Sequence, residues 1–139
     1  MLKTAPVPFR IALTMARKSK YKPHKIGACI AKGRRVISAG YNQTDKSHPL
    51  IQKLNYSIGF GLHAEQHACI GVHPSYLVGA NIYIVRLRAN GKIIALAKPC
   101  EMCRAYLMQR GIRKIYYSIS EEEFGYLRLN KKMGYYEEK

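Results

Sequence analysis

The spacing of apolar residues in the first half of the chain predicts a helix, two strands and a long loop. Apolar side chains recur with the helical period of about 3.6 residues within residues 7–19. Residues 26–31 and 35–39 are apolar runs of strand length, and Gly33 lies in the short gap between them, so we expect a hairpin. Residues 40–62 are rich in Gly, Asn and Pro, and a loop of this length is typical of a functional segment.

The second half of the chain alternates helices with strands. Residues 63–71 and 100–110 show helical patterns, and each pattern stops at a glycine. Residues 80–87 and 113–119 are strands rich in β-branched and aromatic side chains. We interpret a short C-terminal region, 121–129, as helical. Strands that alternate with helices favour an α/β fold in which helices cover both faces of a mostly parallel or mixed sheet.

Length and composition indicate a globular protein. The 139 residues suit one domain, 1–139, which can bury a core without disulfides. No apolar run approaches the roughly 20 residues that a membrane-spanning helix needs. Prolines and basic residues interrupt the first apolar stretch, which is atypical of a signal peptide. We therefore expect a cytoplasmic protein without a membrane partner, whose four cysteines are metal ligands or packed thiols.

The net charge of the chain is strongly positive. Lys and Arg number 24 against 8 Asp and Glu, which gives a formal charge of +16, and no acidic residue precedes Asp45. Such a surface attracts polyanions, so we expect a nucleotide or a nucleic acid as partner. Charge alone does not distinguish the two, and a lysine-rich surface that serves only solubility is the alternative.

Two short segments carry the candidate chemistry, and they are 63–65 (His-Ala-Glu) and 99–103 (Pro-Cys-Glu-Met-Cys). Each lies at the predicted N-terminus of a helix, where partial positive charge and unpaired N–H groups favour the thiolate that zinc binds. Cys100 and Cys103 are one helical turn apart, so their sulfurs face the same side. With His63 they make three ligands, and the open fourth position is typical of a catalytic zinc site.

Glu65 lies two residues after His63, close to the expected metal. A carboxylate there can take a proton from the attacking water and deliver it to a departing amine. H-x-E followed by P-C-x-x-C is the signature of zinc deaminases, and the chain contains both halves in that order. The sequence therefore predicts one catalytic Zn²⁺ per chain, with Glu65 as the acid–base residue.

Other roles for these residues stay open on the sequence alone. A lone C-x-x-C segment is also typical of redox pairs and of structural zinc sites, in which His67 or His73 would be the fourth ligand and Glu65 would have no task. A zinc-stabilised domain that only binds nucleic acid would not need Glu65 either. Cys29 and Cys69 lie in an apolar strand and helix, and we interpret both as packed thiols.

At these residues the chain resembles the cytidine/deoxycytidylate deaminase superfamily, and most of all the short dCMP-type deaminases of phages and large viruses. The resemblance covers roughly residues 9–118, and beyond the zinc segments it includes 24–30, 38–42, 79–83 and 111–118. It implies a three-layer α-β-α sandwich with a central mixed five-stranded sheet. It also implies a homo-oligomer, in the host cytoplasm if the chain is viral.

The resemblance further implies contacts with the substrate. Asn42 would contact the sugar or the base, the backbone N–H of Ala64 would bind the base carbonyl, and Tyr117 would help to wall the pocket. A turn after Gly40 is the alternative role for Asn42, and ordinary strand packing is the alternative for Tyr117.

The function that we expect is hydrolytic deamination of a deoxycytidine nucleotide, with dCMP as the first candidate, to the uracil nucleotide and ammonia. Basic side chains around the predicted loops would bind the phosphate, and the candidates are Lys22, His24, Lys25, Lys46 and Lys53. The alternative substrate is a base within RNA or single-stranded DNA, which the charge and the 11 tyrosines favour. The Pro-Cys-Glu-Met-Cys segment also resembles purine-directed relatives, so the motif leaves the base open.

Overall fold

The computed structural model describes residues 5–21, 23–43, 63–88 and 91–138, and within them helices are interspersed with strands. The helices within these ranges are α1 (Val7–Lys18), α2 (Ala64–Cys69), α3 (Pro74–Leu77) and α4 (Glu101–Gln109). The strands are β1 (Lys25–Lys32), β2 (Arg35–Tyr41), β3 (Asn81–Arg88), β4 (Ile93–Ala95), β5 (Lys114–Ser118), β6 (Phe124–Asn130) and β7 (Tyr135–Glu138). None of the helices in the described ranges is long and apolar enough to cross a membrane.

The strands form one mixed sheet in the order β2-β1-β3-β5-β6-β7, and β4 pairs with β3 off this path. β3 and β5 are parallel, whereas the other neighbouring pairs are antiparallel. A parallel pair needs a long crossover connection, and helix α4 lies in the one between β3 and β5. The predicted hairpin of β1 and β2 and the mixed sheet are confirmed, but the sheet has seven strands in the described part of the chain rather than five.

Helices cover both faces of this sheet. On one face Phe9 of α1 stacks on Phe124 and meets the ring of Tyr83 edge-on. On the other face α2 and α4 pack on a buried row that includes Ile30, Ile82, Ile84 and Ile115. Adjacent residues of a strand point to opposite faces, so each central strand supplies both layers. The three-layer α-β-α sandwich is therefore confirmed.

Two glycines mark the places where helices approach the sheet most closely. A Cβ atom on Gly27 would lie 2.0 Å from the carbonyl oxygen of Ala12 in α1. A Cβ atom on Gly40 would lie 2.6 Å from the backbone nitrogen of Ala68 in α2. Both distances are far below van der Waals contact, so α1 crosses β1 and α2 crosses β2 only because these positions carry no side chain.

The expected helix over 121–129 is wrong, because this region contains a turn and most of strand β6. Phe124 packs on the α1 face of the sheet and Leu127 is buried on the other face, which is the alternation of a strand. A turn leads into the strand, since the N–H groups of Ile119 and Ser120 both donate to the carbonyl of Glu123. The three consecutive glutamates before Phe124 lie in or beside this turn rather than in a helix.

Replacing Gly40 with alanine should destabilise the fold. The added methyl group would overlap the backbone of α2, and overpacking of this kind costs about 1–3 kcal/mol. Urea denaturation should therefore give a lower midpoint for Gly40→Ala than for the wild type. Gly33→Asn is the matched control, because Gly33 (φ +61°) has open space around it and asparagine tolerates that backbone conformation. Equal midpoints for the two variants would contradict the close packing of α2 on β2.

Candidate metal and catalytic site

The three predicted zinc ligands come together at the N-termini of two helices. His63 is the N-cap residue of α2, Cys100 is the N-cap residue of α4, and Cys103 lies in the first turn of α4. The candidate ligand atoms of the three side chains all lie within 4.8 Å of one another. Nδ1 of His63 is 3.3 Å from Sγ of Cys103, although the two residues are 40 positions apart in sequence.

The spacing of these atoms fits one tetrahedral zinc ion. With Zn–S bonds of about 2.3 Å and Zn–N bonds of about 2.1 Å, a tetrahedral ion places its sulfur and nitrogen ligands about 3.6 Å apart. The observed separation of 3.3 Å between His63 and Cys103 is close to that value. Two thiols and one imidazole are also the donor set that zinc prefers, and a fourth position would stay open.

The two cysteines share hydrogen bonds that produce a thiolate. Hydrogen bonds from the Cys103 thiol and from His63 lower the pKa of Cys100 to about 4, against the opposing effect of its burial. The hydrogen bond to Cys100 raises the pKa of Cys103, and burial of the thiol raises it further. The pKa of His63 is raised, mainly by its hydrogen bond with Cys100. At neutral pH the site therefore already carries the negative sulfur that a metal cation attracts.

Glu65 is buried beside this cluster and is 5% exposed. Burial raises the pKa of its carboxyl group, and a backbone hydrogen bond and the charge of His63 oppose the shift. The carboxyl group does not belong to the three-residue cluster that could hold a metal ion. A carboxyl group whose pKa lies above its ordinary value suits proton transfer near neutral pH.

The alternative of a closed Cys2His2 site does not fit the positions of the other histidines. Nδ1 of His67 accepts a hydrogen bond from the N–H of Tyr41 at 2.9 Å. The ring of His73 accepts from the N–H of Ser75 at the start of α3. Among the described residues, neither histidine belongs to the candidate metal cluster.

A cavity of about 630 Å³ opens beside the cluster. His63, Glu65 and Cys100 line it, together with Asn42 and Ala64. A volume of this size is typical of a pocket for a small molecule. The arrangement therefore places a candidate acid–base residue and an open metal position next to space for a substrate.

Comparisons with known proteins agree with this geometry. The model of the cytidine and deoxycytidylate deaminase zinc-binding region matches residues 5–119. The chain belongs to the cytidine and deoxycytidylate deaminase family. A deoxycytidylate deaminase of Mycobacterium phage D29 is 27% identical over 123 residues, which cover 77% of this chain and 88% of the relative. An uncharacterized deaminase in the luxG 3′ region of Aliivibrio fischeri is 27% identical over 121 residues, covering 84% of this chain and 73% of the relative.

Solved structures share the fold of this family member. The dCMP deaminase from the cyanophage S-TIM5 in its apo form is 21% identical, with a TM-score of 0.52 over 83% of this chain and 82% of that chain. RibD of Acinetobacter baumannii is 16% identical, with a TM-score of 0.53 over 80% of this chain. The match spans 27% of the RibD chain. These likenesses confirm the cytidine deaminase-like fold that the sequence predicts.

Asn42 lines the cavity and also forms hydrogen bonds at the end of the β1–β2 pair. Its Oδ1 accepts a hydrogen bond from the N–H of Ile26 at 2.9 Å, and its Nδ2 donates to the carbonyl of His24 at 2.7 Å. These bonds use one of the two Nδ2 protons, and the other can serve a ligand. The expected contact between Asn42 and a substrate is compatible with this position and stays a prediction.

Tyr117, the expected pocket wall, lies in the core of the described structure. Tyr117 is 6% exposed and lies in the core, and it is not among the described residues that line the cavity. It pairs with Gly125 across β5 and β6, and a Cβ atom on Gly125 would lie 2.5 Å from the tyrosine ring. The ring therefore occupies the space that Gly125 leaves free. This contact agrees with strand packing, the alternative role for Tyr117, and the expected contact with a substrate stays a prediction.

The candidates for phosphate contact differ in whether they line the cavity. His24 lines the cavity, whereas Lys25 is not among the described lining residues. The other three lie outside the described residues, and they are Lys22, Lys46 and Lys53.

Sequence reasoning missed two other basic residues of the cavity, Arg86 and Lys98. Arg86 continues the inward-facing row of Ile82 and Ile84 on β3, since alternate residues of a strand share one face. A charged residue in such a row is unusual, because burial of a charge without a partner is costly. That break in the apolar alternation was the available signal.

Ser118 positions the segment that leads to Cys100. The Ser118 hydroxyl donates to the carbonyl of Ala95 at 2.8 Å and accepts from the N–H of Arg86 at 3.3 Å. Its carbonyl accepts from the N–H of Ala97 at 2.8 Å. Ser118 is fully buried, so these bonds are shielded from water and fix the start of the segment 96–100 against β5.

We expect the purified protein to contain about one zinc per chain. Cys100→Ser and Cys103→Ser should lose metal and stability together, because the free energy of metal binding contributes to folding. Elemental analysis by mass spectrometry measures the zinc, and thermal denaturation measures the stability. Cys29→Ala is the matched control, since Cys29 is a buried thiol on the other face of the sheet whose pKa burial raises to about 11. Full zinc content in the double variant of Cys100 and Cys103 would refute the ligand set.

Proposed function

We propose that this chain is a zinc-dependent hydrolase that converts dCMP to dUMP with release of ammonia. The observation that carries the proposal is the meeting of three metal-binding side chains and a buried carboxyl group, Glu65, at one cavity of nucleotide size. The phage D29 relative, a deoxycytidylate deaminase, supports the choice of a deoxycytidine nucleotide. The homo-oligomer implied by the family resemblance stays a prediction.

Different residues would bind the metal, transfer protons and hold the base. His63, Cys100 and Cys103 would hold a zinc ion, which would activate water as a Lewis acid, and the pKa of water falls to about 7 at such sites. Glu65 accepts a proton from the attacking water and delivers it to the departing amino group. Ala64, the first residue of α2, lines the cavity, and its backbone N–H would hold the carbonyl of the base.

The reaction balances without a further reactant. Water adds its oxygen to C4 of the cytosine ring, the bond between C4 and the amino nitrogen breaks, and ammonia leaves with the protons that Glu65 transfers. Burial of Glu65 favours its protonated form, which is the form that must donate to the leaving amine. Burial also keeps bulk water from competing for that proton.

Glu65→Gln should retain zinc and fold but lose nearly all turnover. General acid–base groups contribute about 10²- to 10⁴-fold to rate, and the amide cannot accept the proton from water. Ammonia release from dCMP measures the loss, and elemental analysis verifies the metal. Glu101→Gln is the matched control, because Glu101 is an exposed carboxylate directly after the ligand Cys100 and does not line this cavity. A rate above a tenth of wild type in Glu65→Gln would remove Glu65 from this role.

The substrate itself is tested by incubation with dCMP, dCTP, cytidine, tRNA and single-stranded DNA. Ammonia release and identification of the product base together show which molecule reacts and at which ring. We expect dCMP to give the highest kcat/KM. No release from dCMP, with release from another member of the set, would overturn the assignment.

A base within RNA or single-stranded DNA is the second candidate substrate, and the formal charge of +16 favours it. Single-stranded binding weakens with salt, with a slope in log K against log salt of about −0.7 per phosphate contacted. A mononucleotide offers one phosphate group, so we expect a shallow dependence of KM on salt. A slope that corresponds to several phosphates would favour the polynucleotide.

A further inference from the structure

Arg86 carries a positive charge at the edge of the apolar core. It follows Ile82 and Ile84 on the inward face of β3, and both isoleucines are fully buried. Arg86 itself is half-buried. Removing a guanidinium group from water costs free energy unless a partner compensates for the lost hydration. The contacts of this side chain therefore show whether a protein group compensates for its charge.

Among the described residues, the guanidinium group contacts only neutral groups. Nη2 donates to Nδ1 of His24, and Nη1 donates to the carbonyl of Leu96 at 3.4 Å, which is a long hydrogen bond. Nε is buried and has no hydrogen-bond partner among the described residues. The ion pair found in that part of the chain joins Lys98 to Glu138. Within the described residues the charge of Arg86 is thus not neutralised.

His24 helps to hold this charge in place. An arginine nitrogen can only donate, so Nδ1 of His24 accepts the bond and the imidazole is neutral at that nitrogen. Burial and the neighbouring Arg86 charge both lower the pKa of His24. The histidine therefore orients the guanidinium group without adding a second positive charge.

Arg86 and His24 line the same cavity as His63, Glu65 and Cys100. The sheet register also relates Arg86 to Asn42, because Arg86 pairs with Ile26 and the N–H of Ile26 donates to Asn42. Arg86 and Asn42 thus lie two strand spacings apart, roughly 10 Å, at the same end of the sheet. One ligand in the cavity can reach both.

We propose that Arg86, oriented by His24, binds the phosphate monoester of the substrate nucleotide. The proposal rests on the proposed function and names the residue that would select a phosphorylated substrate over a nucleoside. The planar guanidinium fork matches phosphate oxygens in a bidentate arrangement, and such charge-assisted hydrogen bonds are stronger than neutral ones. An anion there supplies the counter-charge that the described residues do not.

The test compares the product nucleotide with its nucleoside. Isothermal titration calorimetry on zinc-loaded protein gives the Kd values of dUMP and of deoxyuridine, and their ratio isolates the contribution of the phosphate. For Arg86→Gln we expect the preference for dUMP to fall about 10- to 100-fold. Arg88→Gln is the matched control, because Arg88 is an exposed arginine on the same strand and does not line the cavity. We expect Arg88→Gln to keep the wild-type ratio.

Arg86→Lys provides the second variant if Arg86→Gln does not fold, as judged by circular dichroism and zinc content. Lysine keeps the charge but lacks the bidentate fork, so the preference for dUMP should fall by a smaller factor, about 3- to 10-fold. A wild-type ratio in Arg86→Lys and in any folded Arg86→Gln, or an equal loss in Arg88→Gln, would overturn the phosphate site.

Further measurements distinguish a failure of this inference from a failure of the proposed function. Protein that binds dUMP through Arg86 but releases no ammonia from dCMP would retain the phosphate site and lose the proposed reaction. If the protein turns over dCMP but the ratio of the Kd values of dUMP and deoxyuridine does not depend on Arg86, the proposed reaction would stand and the phosphate site would be overturned. A deoxyuridine trinucleotide with its uracil in the middle carries only phosphate diesters, and Arg86-dependent binding of this molecule as tight as that of dUMP would overturn the assignment of a monoester.

Discussion

The close approach of helix α2 to strand β2 at Gly40 is the contact on which the rest of the site depends. The backbone of Ala68 lies where a side chain of residue 40 would begin, and His67 on the same helix accepts a hydrogen bond from the N–H of Tyr41. The steric fit sets the depth of the helix and the hydrogen bond sets its position along the strand. Together they place His63 and Glu65, at the start of α2, at one end of the sheet.

The parallel pairing of β3 with β5 brings the second half of the site to that end. A parallel pair requires a crossover, and this crossover carries α4 on the same face as α2. Ser118, at the end of β5, then holds the segment before Cys100 through bonds to Ala95 and Ala97. Two helix N-termini thereby meet, so the sulfurs and the imidazole ring share a region of positive potential that stabilises a thiolate.

Electrostatics divides the cavity into two regions. Around Cys100 the hydrogen bonds and the thiolate prepare negative charge for a metal cation, and the buried Glu65 holds a proton more tightly than an exposed carboxyl group does. At Arg86 the charge is positive, and the described residues leave it without a counter-ion. A ligand with a polar ring at one end and an anion at the other is complementary to this distribution.

Sequence alone determined the local elements and the chemistry of the ligand set, because both depend on residue spacing. The helical period around Ala12 and the one-turn separation of Cys100 and Cys103 are local properties, and the family signature added His63 and Glu65. Tertiary structure decided what depends on distant partners. Residues 124–129 form a strand because they pair with the edge of β5, and Tyr117 lies in the core because Gly125 leaves room for its ring. Arg86 reached the cavity because the register of β3 with β1 set which of its side chains lie at the end of the sheet, and no local pattern contains that register.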